Sequence, residues 1–235
     1  DDAKGYNDFR AVAESGETTM TKLGPIVFAC CLLTLSAASG QLLDGPGIGG
    51  DGLLGGRERL LTARLIPEYT QVRPGQRFHV AVEMIPGEGW AYYSAVPGKS
   101  GDFEPPPARI ETAAGELFDA SPTLWPEGEP YKYELPGKPG EEPTTYVNRA
   151  FKGRAVAYVP LTVAEDAPAG DHTIIVVLDG QVCGHGQCVT LRGPEAVEKT
   201  LNLRIGPRAI PNPGWAEEEG VASGLESART AEEIA

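Results

Sequence analysis

No basic stripe runs through this chain. Lysine and arginine number 20 against 33 aspartates and glutamates, for a net charge of −13, so nucleic acid and anionic membrane surfaces are poor partners. No apolar run reaches the roughly 20 residues that a helix needs to cross a bilayer. No G-x-S-x-G, H-E-x-x-H or Cys-x-x-Cys occurs, so the common hydrolase and thioredoxin signatures are missing. There is no G-X-Y period, which excludes collagen. Cysteine is scarce, at four residues. Helix breakers are not scarce. Thirty glycines and 21 prolines in 235 residues make about 22%, against an average near 12%. That excludes an all-helical bundle yet stays below a disordered low-complexity chain. A hydrophobic content of 41% suffices for one core and hardly for two.

The four cysteines do not form one set. Met20-Thr21-Lys22 opens a secretory signal: Lys22 is a thin positive n-region, Leu23–Leu35 is the apolar h-region, and Ser36–Gly40 offers small residues for cleavage. The signal spans about Met20–Gly40. Its apolar part is too short for a membrane anchor, which is the weaker reading. A lipoprotein site at Cys30 is weaker still, because Phe28 stands where a small residue is wanted. Residues 1–19 are read as lying upstream of the signal. Cys30 and Cys31 leave with it, so Cys183 and Cys188 remain, in an oxidising compartment where a disulfide persists. Residues 1–40 hold five acids and three bases, so the exported chain keeps a net charge of −11.

Residues 41–59 form a Gly-rich linker. Gly45–Gly50 matches G-x-G-x-x-G in form only, since no strand precedes it and no helix follows. Gly98-Lys99-Ser100 looks like the end of a P-loop, but Tyr93 occupies the position of the upstream glycine. From Leu60 the periodicity is two. Phe78, Val80, Val82 and Met84 alternate with Arg77, His79, Ala81 and Glu83 up to Pro86-Gly87. Further strands are predicted over Leu60–Ile66, Trp90–Ser94, Ala108–Thr112, Ala155–Val163, His172–Leu178 and Thr200–Ile205. Turn signals recur at Arg73–Gln76, Ala167–Asp171 and Asp179-Gly180. Seven or more short strands so punctuated predict an all-β, antiparallel sandwich over residues 60–206. Pro126–Thr145 is read as a long loop, and long loops in compact domains are often functional. Residues 207–235 are read as a linker, Pro207–Gly214, followed by a short C-terminal helix over Trp215–Ala235.

The chemistry concentrates in Val182-Cys183-Gly184-His185-Gly186-Gln187-Cys188-Val189. Four intervening residues can turn the chain so that the cysteines flank a tight loop, within disulfide range on neighbouring strands. Closing about six residues stabilises by only ~2 kcal/mol, against ~4.7 kcal/mol for a 100-residue loop. A short, glycine-flanked loop better suits attack by another protein's thiolate. Three readings stay open here: a redox-active pair, an inert hairpin clip in a secreted binding sandwich, and copper or zinc binding by Cys183, His185 and Cys188. His185 is either a solvated loop residue or an imidazole that tunes the neighbouring thiolate. His79 and His172 sit on strand patterns and are read as structural, and the scattered carboxylates as solubilising. No cofactor is implied.

These residues resemble the N-terminal periplasmic domain of DsbD-type thiol:disulfide interchange proteins, the protein-disulfide reductase family. Arg73-Pro74-Gly75-Gln76, Gly89-Trp90, Tyr93, Pro97–Gly101, Trp125-Pro126, Phe151-Lys152-Gly153 with Val159–Val163, and the Cys183/Cys188 pair follow in the family's order over about Leu60–Ile205. The resemblance implies an immunoglobulin-like sandwich whose Cys183–Cys188 disulfide relays electrons. It implies a membrane-embedded or thioredoxin-like electron donor, and periplasmic thioredoxin-like or disulfide-isomerase-type acceptors. It also implies an aromatic cap over the sulfurs: Tyr93 matches an aromatic beside them, and Tyr146–Phe151 with the Pro126–Thr145 insertion are the cap candidates. An apolar lid excludes stray thiols until a specific partner displaces it. The chain departs from the family in having Val189 where proline often follows the second cysteine, in lacking a membrane or thioredoxin segment, and in the length of its insertion.

Overall fold

The computed structural model describes residues 60–135, 140 and 142–235. The signal read over Met20–Gly40, Cys30, Cys31 and the linker up to residue 59 lie outside the described residues. The strands are β1 Leu61–Pro67, β2 Tyr69–Val72, β3 Arg77–Pro86, β4 Trp90–Tyr93, β5 Arg109–Ala113, β6 Phe118–Ala120, β7 Leu124–Trp125, β8 Glu129–Leu135, β9 Thr144–Phe151, β10 Ala155–Val163, β11 Gly170–Gly184, β12 Gln187–Leu191, β13 Val197–Ile205, β14 Ile210–Pro211 and β15 Arg229–Thr230. They form an all-β, immunoglobulin-like sandwich. One sheet runs β1-β3-β10-β7-β15 with β6 beside β10. The other runs β14-β2-β13-β11-β4-β9-β8, with β12 and β5 also on β11. Among the described residues every strand pairing is antiparallel except β2 with β13.

Alternation fixes how the sheets stack. Phe78, Val80, Val82 and Met84 of β3 and Ala157, Val159 and Leu161 of β10 meet Tyr92, Ile174, Val176, Leu178 and Val182 of the second sheet in one core. Each such side chain, fully buried, stabilises by ~1.5–3 kcal/mol before entropy is counted. β10 is buried on both faces. Its second face, with Val156 and Tyr158, packs with Ile66, Ala81, Val221 and Ala228.

That second layer is the C-terminal tail. The periodicity predicts one helix over Trp215–Ala235; the tail forms three short ones, α1 Pro213–Glu217, α2 Val221–Ser227 and α3 Ala231–Ile234. Glu218 caps the end of α1, and Gly220, at φ 72°, is the N-cap that starts α2. The stretch Pro207–Gly214 likewise supplies β14, which pairs with β2. The Tyr158 hydroxyl donates to the Val221 carbonyl at 2.6 Å. Among the described residues no helix is long and apolar enough to cross a membrane.

A buried carboxylate helps lock the tail. Glu83 is 6% exposed and accepts from Arg64 (2.9 Å) and Arg154; Arg64 also reaches Glu218 at 2.8 Å. Burial alone would push the Glu83 carboxyl up, but the Arg64 and Arg154 bonds outweigh it and hold the group below 4.5. A carboxyl depressed in the folded state adds stability above its unfolded value and loses it as pH falls through the folded one. Melting temperature is therefore expected to drop as pH is lowered below about 4.5, and Glu83→Gln should flatten that acid limb. An unchanged acid limb in the variant would contradict the assignment.

Two further sequence readings change. Asp179-Gly180 is predicted as a turn, yet β11 continues to Gly184. Gly180 instead takes φ 137° at a crowded point, where a Cβ would lie 3.0 Å from the Tyr92 ring and 3.1 Å from the Ala108 Cα. Pro126–Thr145 is predicted as a loop, yet its Glu129–Leu135 part is β8, paired with β9 from Glu129↔Ala150 to Leu135↔Thr144. Alternation in Tyr131-Lys132-Tyr133 favours a strand there, and proline is tolerated because β8 is an edge strand of its sheet.

Candidate functional site

The cysteine motif folds as a two-residue hairpin. Gly184 pairs with Gln187, and His185 (φ 50°) with Gly186 (φ 75°) makes the turn. Positive φ at both central positions is the turn geometry that matches strand twist. Glycine adopts it freely; His185 is the sole non-glycine with positive φ among the described residues and needs holding there. Its ring packs edge-on against Trp90 at 5.6 Å, and its Nε2–H donates to the Glu88 carbonyl at 3.1 Å.

The next pair outward is Cys183↔Cys188, joined as a disulfide with Cα atoms 4.1 Å apart. That is close to the ~4.5 Å of a non-hydrogen-bonded antiparallel pair. The two sulfurs differ in access. Cys183 is 0% exposed, whereas Cys188 is half-buried. Cys183 is deep because β11 also pairs with β4, Cys183 opposite Ala91 and Gly184 opposite Trp90.

Register shows which side chains share the sulfurs' face. Val182, Tyr92 and Phe151 turn inward to the main core, while Cys183, Ala91, Tyr93, Ala150, Tyr131 and Tyr133 cluster on the opposite face. Tyr93, Tyr133 and Ala150 are buried there; Phe103, Tyr131 and Cys188 are partly so. Tyr93 lies 6.1 Å from Phe103 and 6.2 Å from Tyr131, and Phe103 lies 4.9 Å from Tyr146. The Tyr131 hydroxyl donates to the Cys183 carbonyl at 3.1 Å. Burial raises the Tyr93, Tyr131 and Tyr133 phenols above their ordinary value, so this wall stays uncharged near neutral pH.

Phe103 arrives on a loop clasped to β9. Ser100 and Phe103 exchange two backbone bonds of 2.9 and 3.0 Å, the Ser100 hydroxyl accepts from the Val147 amide, and the Asn148 side chain donates to the Gly98 carbonyl. The Pro97–Gly101 turn thus places an aromatic above the sulfurs' neighbours.

Of the residues singled out in the sequence, Cys183, Cys188 and Tyr93 come together in one cluster. Tyr146 reaches it through Phe103. Phe151 does not: it faces the core, 6.4 Å from Tyr92, because it stands one residue out of phase with Ala150. His185 points to Trp90 and Glu88, and no hydrogen bond joins it to either sulfur. Among the described residues no group of three His, Cys, Asp or Glu side chains is placed to hold a metal ion. Tyr131 and Tyr133 lie inside the Pro126–Thr145 cap candidate, and they join the cluster from a strand rather than a loop. Phe103 is missed by sequence reasoning; its signal is its place two residues beyond the Pro97–Gly101 turn.

No family model matches the chain, and no curated protein matches it. Similar solved structures include two N-terminal periplasmic domains. That of ScsB from Proteus mirabilis is 15% identical with a TM-score of 0.43, over 72% of this chain and 54% of that one. That of Neisseria meningitidis DsbD in the reduced form is 17% identical with a TM-score of 0.31, over 63% and 90%. AggA, the major subunit of an Escherichia coli adherence fimbria, is 7% identical with a TM-score of 0.30, over 62% and 95%. This chain spans about half the length of the ScsB domain that it matches.

Proposed function

We propose that Cys183–Cys188 is a thiol:disulfide exchange centre in an exported domain, passing reducing equivalents to partner thiol proteins. The unequal access of the two sulfurs carries this reading: one is sealed under aromatics, the other stands at the sheet edge. A clip holding the hairpin would add little, because turn and ladder already close it and a loop this short contributes ~2 kcal/mol.

The reaction runs in two halves. A donor thiolate attacks Cys188 Sγ, the S–S bond breaks, and Cys183 leaves as a thiolate. The donor's second thiolate then attacks the donor sulfur of that mixed disulfide and releases Cys188, so two electrons have entered and two protons follow. In the second half the Cys188 thiolate attacks an acceptor disulfide, and Cys183 attacks Cys188 Sγ to expel the acceptor's reduced sulfur. Thioredoxin-like or disulfide-isomerase-type proteins are the proposed acceptors, and a membrane-embedded or thioredoxin-like domain the donor. Tyr93, Tyr131 and Phe103 would keep other thiols from Cys183, with the Ser100–Phe103 loop as the movable part of the cover.

The reduction potential tests this. A relay is expected to lie between about −270 and −120 mV, the range of thioredoxin-like proteins. A potential below about −300 mV, with no exchange with thioredoxin, marks an inert structural disulfide.

A further inference from the structure

The second sheet changes partners partway along β11. Leu178 is the last residue of β11 paired with β13, and Gly180 is the first paired with β12. Asp179 is the last paired with β5, and Val182 is the first paired with β4. Among the described residues β11 is the one strand common to both parts. The sulfurs, with β4, β9 and β8, lie beyond this break. Across it the sheet's ladder runs through a single strand.

One side chain spans the break. Tyr92, on β4 opposite Val182, is 0% exposed. Its hydroxyl donates to the Asp179 carbonyl and accepts from the Arg109 amide. Asp179 and Arg109 are themselves partners, the last pair of β5 with β11. The phenol oxygen therefore ties β4 to both β5 and β11 where these strands part company. Gly180 leaves the space that the Tyr92 ring fills. Tyr92 also follows Ala91, the residue of β4 opposite Cys183. What holds Tyr92 to β11 thus holds the strand that seals Cys183. Without the hydroxyl, the Asp179 carbonyl and the Arg109 amide lose that partner inside the break. Water must enter to satisfy them, and it parts β4 from β11.

We infer that Tyr92 is a positioning residue of the exchange centre: by bridging Asp179 and Arg109 at the break in the sheet, its hydroxyl holds β4 against β11 and keeps Cys183 sealed opposite Cys188. This rests on the exchange reading above and adds a residue that governs the sulfurs from the core side, the face away from them. The effect on the disulfide has a sign. The S–S bond restrains β11 and β12 from relaxing, whereas two thiols permit it. Loss of the hydroxyl costs the oxidised chain more than the reduced one, so the disulfide becomes easier to reduce. A hydroxyl that only adds stability costs both forms alike and leaves the redox equilibrium unmoved.

Tyr92→Phe, which keeps the ring and removes the oxygen, tests this. Tyr158→Phe is its control, since it removes a buried hydroxyl that donates to the Val221 carbonyl in the tail. In the reduced state Tyr92→Phe should label Cys183 with iodoacetamide at least tenfold faster than the parent chain does, with Cys188 within twofold. The equilibrium constant for reduction of its disulfide by glutathione should rise at least threefold, which is about 14 mV. Tyr158→Phe should stay within twofold of the parent in both. A third measurement needs no variant. In the reduced parent chain, the opening that exposes Cys183 should be the one that frees the Arg109 amide, so opening constants from labelling and from amide hydrogen exchange should agree within fivefold. A smaller change in Tyr92→Phe in either quantity, an equal change in Tyr158→Phe, or opening constants further apart than that overturns the role of Tyr92 alone. A parent chain that does not exchange with thioredoxin overturns the exchange reading and this role with it.

Discussion

With its free cysteine first activated as the thionitrobenzoate disulfide, a Cys183→Ala chain is expected to accumulate a single mixed disulfide through Cys188 with a thioredoxin variant that keeps only its attacking cysteine, releasing thionitrobenzoate, whereas Cys188→Ala treated in the same way should trap almost none. The difference follows from access rather than intrinsic thiol chemistry. Cys188 is reachable at the strand edge; Cys183 has no exposed surface and lies beneath Tyr93, Tyr131 and Tyr133. Reaching Cys183 requires a local opening, and an opening costing about 3 kcal/mol lowers the reactive population roughly 100-fold. In the reduced chain, iodoacetamide should therefore label Cys188 about 100 times faster than Cys183. Comparable labelling of the two thiols, or equal trapping by both variants, would remove the asymmetry on which the proposed roles rest. Phe103→Ala offers a graded version, since thinning the cover should speed Cys183 labelling while leaving Cys188 nearly unchanged.

Much of this site is legible in the sequence because it is local. A cysteine pair spanning four residues that include two glycines is itself a hairpin statement, and period-two alternation places β3 and β13 with little else to consider. What is not legible depends on register between distant strands. Tyr93 and Phe151 are both aromatic and both flank the site in the fold, yet Tyr93 pairs with Ala150 and so faces the sulfurs. Phe151, one residue further on, faces the core. A one-residue step exchanges the faces of a strand, and no local pattern says which face lies outside. Tyr131 and Tyr133 fall inside the insertion read as a cap candidate, but their strand is hidden for another reason. The prolines and glycines around them read as loop, and only their pairing with β9 makes them a wall. The tail is hidden similarly: the double burial of β10 is visible as an unbroken apolar run, but the occupant of its second face is not.

Gly184→Ala should be the most damaging conservative change near the site. No unusual backbone angle reserves this position for glycine. The obstacle is contact: a Cβ on Gly184 would lie 2.2 Å from the Gly89 carbonyl oxygen and 3.0 Å from the Trp90 Cα. These are backbone atoms of the turn and strand that seal Cys183, so no rotamer can relieve the clash. β4 must move away from β11, and the Gly184↔Trp90 and Cys183↔Ala91 pairs must loosen with it. Overpacking of this kind costs about 3 kcal/mol. The loss should appear in urea melts as a lower midpoint. The same displacement should expose Cys183, so the labelling ratio between the two thiols should fall from about 100 toward 1. Gly186→Ala supplies the contrast. It shares the hairpin, and nothing lies within 4 Å of its added Cβ, so only its φ of 75° opposes the change. That strain costs ~1–2 kcal/mol and leaves β4 in place. Gly186→Ala should therefore destabilise less and keep Cys183 sealed. If both variants opened Cys183 equally, the turn rather than the β4 contact would be what buries it.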